Sequence, residues 1–285
     1  MNGVPRQAFD RATTILRGFT PRRIKGRFNG PRVFANSVPK SGTNLLTECL
    51  FQFPMLRPCF KHVSMNQNRI PSTEEFSKKI AKTGRGQYTT GHVFYSRENA
   101  EILKRNDIIS LLIVRDPRDI VTSHYHYVTD KNPSHRLHDY YNALDDDETR
   151  LMASIQGVSG EQSEDGKPLE SIGEWMDRFL GWTEPEYTHL VRFEDLIGPQ
   201  GGGDKESQLE TVRSIADHLE VSLSEEELYH VADNTFSTGS STFRKGLIGD
   251  WENSFGPEHV AAFKDQADDW LIELGYEDDS DWGVK

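Results

Sequence analysis

The sequence predicts an α/β domain: a central parallel β-sheet flanked by helices. Three observations predict it. Short apolar runs alternate with segments of helical period along most of the chain, the pattern of a sheet covered on both faces. The run Ile108–Val114 does not alternate apolar with polar residues, so it reads as a strand buried on both sides. And Arg32–Val38, the first clear strand, leads through a small-residue loop straight into a helix. That is the βα turn that binds phosphate in such folds.

Length and composition set the frame. With 285 residues the chain suits one large domain, assigned to 31–285, behind a basic segment at 1–30. Its 35% hydrophobic and 27% charged residues fit a globular protein. No apolar run reaches the roughly 18–20 residues that span a bilayer. Nor is there an N-terminal apolar region of the secretory kind, so the expected location is cytoplasmic. Cys49 and Cys59 are the only cysteines, which supports neither a disulfide framework nor a cysteine-rich metal site.

The net charge is −12, which argues against nucleic acid as a partner. The charge is unevenly spread. Residues 1–30 hold Arg6, Arg11, Arg17, Arg22, Arg23, Lys25 and Arg27 against one acid, Asp10. Between Val4 and Phe19 the apolar residues fall on one helical stripe, with the arginines mostly off it. Such a helix either makes peripheral contact with an anionic membrane or packs on the body or a partner.

The remaining elements follow in order. Helix Leu45–Phe53 comes after the first loop. Helix Arg97–Lys104 has Ser96 placed to cap it. After strand Ile108–Val114, Asp116 is an N-cap and Pro117 a first-turn proline, opening a helix that carries Ser123 and His124. Residues 129–170, rich in Asp, Gly and Ser, read as a lid or a mobile insertion. Helix Ser171–Leu180, strand Tyr187–Phe193, helix Glu206–Leu219 and helix Pro257–Leu274 complete the chain, the last stopping at Gly275.

Three segments carry chemistry. The loop Pro39-Lys40-Ser41-Gly42-Thr43-Asn44, running into Leu45, is an anion nest at a helix N-terminus. Lys40 adds a cation, and Ser41 and Thr43 add hydroxyls. The lysine precedes the glycine, so this is not the Walker pattern of triphosphate-cleaving enzymes. The second segment is Arg115, at a strand end where a guanidinium can grip phosphate, with Ser123 further along the helix. Arg118 sits inside the turn and reads as structural. The third is Arg244-Lys245-Gly246, followed by Gly249-Asp250-Trp251. Each segment alone is also compatible with a purely structural role.

Together, in this order and spacing, the segments resemble the sulfotransferases that use 3′-phosphoadenosine 5′-phosphosulfate (PAPS), on the cytosolic side of that family. The resemblance covers roughly residues 32–275 and implies a P-loop-like sulfotransferase fold. Pro39–Thr43 matches the family's 5′-phosphosulfate loop PKSGT. Arg115 and Ser123 match its 3′-phosphate element, and Arg244 to Trp251 match its RKGxxGDW segment. The resemblance implies transfer of a sulfuryl group from PAPS to a hydroxyl, or an amine, of a small-molecule or lipid-like acceptor, leaving 3′-phosphoadenosine 5′-phosphate (PAP).

The resemblance also assigns roles. His92 is the general base, with His124 and His126 as competitors. Lys40 acts on the leaving group, and Ser123 restrains Lys40. The nucleotide is held by Lys40, Ser41, Gly42, Thr43, Asn44, Leu45, Arg115, Ser123, Arg244, Lys245 and Gly246. Phe193 and Phe236 are either adenine-side aromatics or core. No metal is implied. The chain departs from its relatives at Asn44-Leu45, where many have Thr-Trp. It departs at Thr90-Gly91, where Lys-Thr is common, and after Trp251, where the family's dimerisation motif is not matched. The competing readings are a P-loop nucleotide or small-molecule kinase and a non-catalytic nucleotide-binding protein.

Overall fold

A computed structural model describes residues 21–64, 71–163, 165–236 and 246–283. Five strands form one sheet: β1 (Arg32–Ser37), β2 (Arg57–Ser64), β3 (Gln87–His92), β4 (Ile109–Val114) and β5 (Thr188–Arg192). Their order is β2-β3-β1-β4-β5, and every neighbouring pair is parallel. The expected class holds. Because a strand shows its side chains to alternate faces, β4 divides between two cores. Leu111 and Ile113 join Val33, Ala35 and Leu50 on one face; Leu112 and Val114 join Phe34, Phe76 and Trp182 on the other. Burial on both sides is why β4 reads as an unbroken apolar run.

Twelve helices surround the sheet among the described residues. In chain order these are α1 (Pro21–Asn29), α2 (Thr43–Gln52), α3 (Thr73–Ile80), α4 (Arg97–Arg105), α5 (Pro117–His126) and α6 (His138–Ala143). After them come α7 (Asp147–Gln156), α8 (Ile172–Leu180), α9 (Phe193–Ile197), α10 (Lys205–His218), α11 (Glu225–Asp233) and α12 (Pro257–Glu273). The caps explain several starts. Ser96 Oγ accepts from Asn99 N, Ser171 forms a capping box with Glu174, and Asp116 caps α5 with Pro117 next to it.

The topology makes a crevice. Leaving β1, the chain enters α2, whose apolar side chains lie in the core of one face. Leaving the adjacent β4, it enters α5, whose Ile120, Val121 and Tyr125 lie in the other. Neighbouring strands whose exits part in this way open a cleft at their carboxyl ends, the usual ligand site of such sheets.

Some sequence-derived elements shift. Strand β5 ends at Arg192, and Phe193 opens α9 instead of closing the strand. Helix α2 starts at Thr43, because Gly42 turns left-handed there with φ 105°. Strands β2 and β3 and helices α3 and α11 are additions. The stretch 129–170 holds α6, α7 and a Val158–Leu169 bridge, and it buries Leu137, Tyr141, Leu151 and Ile155 in the main core. Its described residues pack against the domain through these side chains. The stripe between Val4 and Phe19 lies outside the described residues.

Candidate active site

The β1–α2 loop is built from backbone. Lys40 and Gly42 both take positive φ, 72° and 105°. Such a conformation is costly for lysine and easy for glycine. A Cβ on Gly42 would stand 2.6 Å from Cδ2 of Phe193. The loop therefore rests directly on that ring. No side chain caps α2. Leu46 N is the first amide to find an intrahelical partner, Gly42 O at 3.0 Å. The amides of the preceding turn point out of the helix end, as an anion site requires.

Not every loop residue does what the sequence suggests. The Ser41 hydroxyl is buried and lies 2.7 Å from Val38 O and 2.8 Å from Ile113 O. Its single proton is spent tying the loop to β4, so it is no spare donor for phosphate. The Thr43 hydroxyl lies 2.8 Å from Ser37 Oγ. Asn44 is exposed, whereas the Leu45 side chain is buried in the core and offers the site only its backbone.

His92, half-buried at the end of β3, is oriented by β1. Its Nδ1 lies 2.9 Å from the Ser37 carbonyl oxygen and 3.1 Å from Ser37 Oγ. A carbonyl can only accept, so Nδ1 carries the hydrogen and Nε2 keeps the lone pair. Burial lowers the His92 pKa from its ordinary value, the Ser37 bond opposes this, and the Lys40 cation lowers it further. Next door, the buried Asn36 amide donates to Val93 O and accepts from Val93 N, both at 2.9 Å, fixing the chain just past His92. His62 of β2 meets His92 edge-on, ring centroids 5.2 Å apart.

The competing histidines are occupied elsewhere. His124 is buried among Trp175, Tyr141 and His135, with Nδ1 3.0 Å from Ser154 Oγ. Burial pushes its pKa down to about 3. His126 stacks on Tyr125 at 4.0 Å. Past α5 the helix widens into a π turn, Tyr127–Lys131. This brings the Tyr127 ring under Lys40, whose Nζ stands 4.1 Å from the ring centroid. Ser123 is half-buried on α5.

Arg115 ends β4 as a buried guanidinium. Its NH2 lies 3.0 Å from Asp119 Oδ2 and 2.6 Å from Leu247 O, and its plane covers Phe193 at 4.5 Å. Asp119, buried, also accepts from Gly249 N at 3.0 Å and Trp251 N at 2.9 Å. One carboxylate thus ties the second chemistry-bearing segment to the third. Gly246, the first described residue of that third segment, has φ 61°. Arg115 Nε is buried without a hydrogen-bond partner among the described residues. Burial without a partner is costly, and a phosphate oxygen would satisfy it.

The other assignments divide. Arg118 pairs with Asp116 at 2.7 Å and Glu277 at 2.5 Å and stacks on Trp251, a structural role. Phe193 sits in the core under Gly42 and Arg115, and Phe236 is half-buried against the same core. Arg244 and Lys245 lie outside the described residues. Sequence reasoning missed Ser37, Asn36, Asp119 and Tyr127. None left a distinct signal; Asp119 shows only as an acid four residues beyond Arg115.

The family model for the sulfotransferase domain matches residues 31–275. The chain belongs to the sulfotransferase domain family. Among curated relatives, Sulfotransferase 6B1 of Danio rerio is 27% identical over 161 residues, 51% of this chain. The chain spans about half of that relative, 46% of its length. Among solved structures, mouse sulfotransferase SULT7A1 complexed with PAP superposes with a TM-score of 0.58 at 19% identity, covering 86% of this chain and 87% of the other. Retinol dehydratase in complex with androsterone and inactive cofactor PAP gives 0.55 at 15% identity, covering 88% and 85%. At such identities the likeness is one of fold. Among the described residues, no helix is long and apolar enough to cross a membrane.

Proposed function

We propose that this sulfotransferase transfers the sulfuryl group of PAPS to a hydroxyl of a small-molecule or lipid-like acceptor, with His92 as general base. The observation that carries the reading is the His92 tautomer. With Nδ1–H held by Ser37, Nε2 is left to accept a proton, and burial together with Lys40 favours the neutral ring.

In the reaction, the acceptor oxygen forms a bond to sulfur while the bond from sulfur to the 5′-phosphate oxygen breaks. The acceptor proton goes to His92 Nε2, and the electron pair leaves on the phosphate. Lys40 and the amides at the start of α2 stabilise that developing charge. Arg115, one donor short of partners, would hold the 3′-phosphate together with the segment that Asp119 fastens beside it. This grip would separate PAPS from nucleotides lacking a 3′-phosphate.

The test incubates the protein with radiolabelled PAPS and a panel of phenols, alcohols, amines and glycolipids, alongside His92→Ala and Lys40→Ala. Transfer should appear with the parent chain and collapse in both variants, while PAP binding by His92→Ala persists. Transfer that survives His92→Ala unchanged would remove it as the base. Failure to bind PAP at all would sink the reading.

A further inference from the structure

Helix α1 is held to the body through backbone. Gly26 is buried, and a Cβ there would stand 2.3 Å from Met55 O. Gly86 closes on the same place, since its own Cβ would stand 2.4 Å from Gly26 O. Only glycine allows such an approach. Near the start of the helix, Arg22 donates to Glu227 and to Ser222 O.

Helical geometry then determines what faces outward. At about 100° per residue, Ile24 and Phe28 share one face, and Gly26 lies opposite it. Lys25 and Arg27 fall on either side of that face, about 80° from its centre. The exposures agree: Ile24 is 43% and Phe28 71% exposed, the latter the most open large apolar side chain among the described residues. Lys25 and Arg27 are exposed as well. Arg57, beside this helix, has its pKa lowered by burial and then by Arg27, so the rim is locally cationic. The helix belongs to a segment of seven basic residues and one acid, on a chain of net charge −12.

We propose that α1 seats this protein on an anionic lipid surface, with Ile24 and Phe28 entering the headgroup layer and Lys25 and Arg27 meeting lipid phosphates. Charge favours this occupant: a strongly acidic protein approaches an anionic bilayer only through a basic face, and this face is basic. Size favours it too. A stable protein partner needs roughly 800 Å² on each side. A ridge of two apolar side chains is far smaller, yet it suffices for reversible interfacial binding when cations flank it.

The experiment is vesicle flotation of the full chain on phosphatidylcholine alone and on phosphatidylcholine with phosphatidylserine. Binding is expected only with phosphatidylserine and should fall as salt rises. The pair Ile24→Ser and Phe28→Ser, and separately the pair Lys25→Glu and Arg27→Glu, should each weaken it about tenfold or more. All four side chains are exposed, so melting temperatures should match the parent. Absence of binding, equal binding to both vesicles, or binding unchanged in either pair overturns the proposal. So does a solution dimer that the Ile24/Phe28 pair disperses without any vesicle binding, which would give the ridge to a second copy.

Discussion

The Nδ1 atom of His92 stands 2.9 Å from the carbonyl oxygen of Ser37. This one contact sets the tautomer, the ring orientation and the atom left for catalysis. It depends on β1 and β3 being neighbours: Asn36 pairs in register with Gly91, which brings Ser37 beside His92. Removing the imidazole should therefore stop chemistry without disturbing the nucleotide. His92→Ala is expected to lower kcat by about 10²–10⁴, the usual worth of a positioned base. PAP affinity by calorimetry should stay within about twofold.

The same residue predicts a pH profile. Only neutral His92 can take a proton, and its pKa is lowered. Hence kcat/KM should be flat at neutral pH and fall as pH drops below the ordinary histidine value of about 6.5. Lys40 contributes to the lowering. In Lys40→Met the His92 titration, followed by imidazole NMR, should move toward higher pH. A shift to lower pH would contradict the cation's part in keeping the ring neutral.

Arg115 should discriminate between nucleotides. Its Nε is buried without a partner while its NH2 is held by Asp119 and Leu247 O. Arg115→Lys keeps the charge for Asp119 but loses the fork. PAP should bind at least about tenfold more weakly, whereas adenosine 5′-phosphate, lacking the 3′-phosphate, should bind much as before. Truncation to alanine is a poorer test, because a buried Asp119 left alone would cost about 3–5 kcal/mol of stability.

What the sequence shows follows from where physics leaves a mark. β4 is legible because burial on both faces demands an unbroken apolar run. The loop after β1 is legible because close backbone approach demands Gly42 and its small neighbours. β2 is an edge strand carrying Pro58, Lys61 and His62, and β3 is spelled QYTTGH, so neither shows a strand period. Asp119 looks like any helix acid until the chain returns 130 residues later and Gly249 docks on it. The fold of 129–170 was hidden by its polar composition, since α6 and α7 bury only scattered residues. Ser41 shows the reverse case, a hydroxyl placed to suit a ligand and used by the protein itself.

Gly42 gives a test of the loop. It combines φ 105° with the Phe193 ring where a Cβ would go, and Ile113 Cδ1 would stand at 3.2 Å. Gly42→Ala must strain the backbone and push Phe193 away from beneath Arg115. A loss of at least about 2 kcal/mol is expected from strain and overpacking together. PAP binding should fall more steeply than for Thr43→Ala, which removes a hydroxyl that meets Ser37 among the described residues. Chemical denaturation and calorimetry on the two variants measure both effects.

Glu194 should make stability depend on pH. Its Oε1 accepts from Asp116 N at 2.9 Å and its Oε2 from the Tyr276 hydroxyl at 3.0 Å. Burial, with the Asp116 charge adding to it, pushes its pKa up to about 7 from an ordinary 4.5. The sign follows from linkage. Between those values the folded protein holds the proton more tightly than the unfolded chain does. Folding is therefore favoured at the acid end, and the contribution is lost as pH rises through about 7. The size is on the order of 3 kcal/mol. Glu194→Gln keeps an acceptor for Asp116 N and mimics the protonated acid. Its stability relative to the parent should grow as pH rises from about 4.5 to 7 and level off above that. A constant stability difference across that range in urea titrations would refute the assignment.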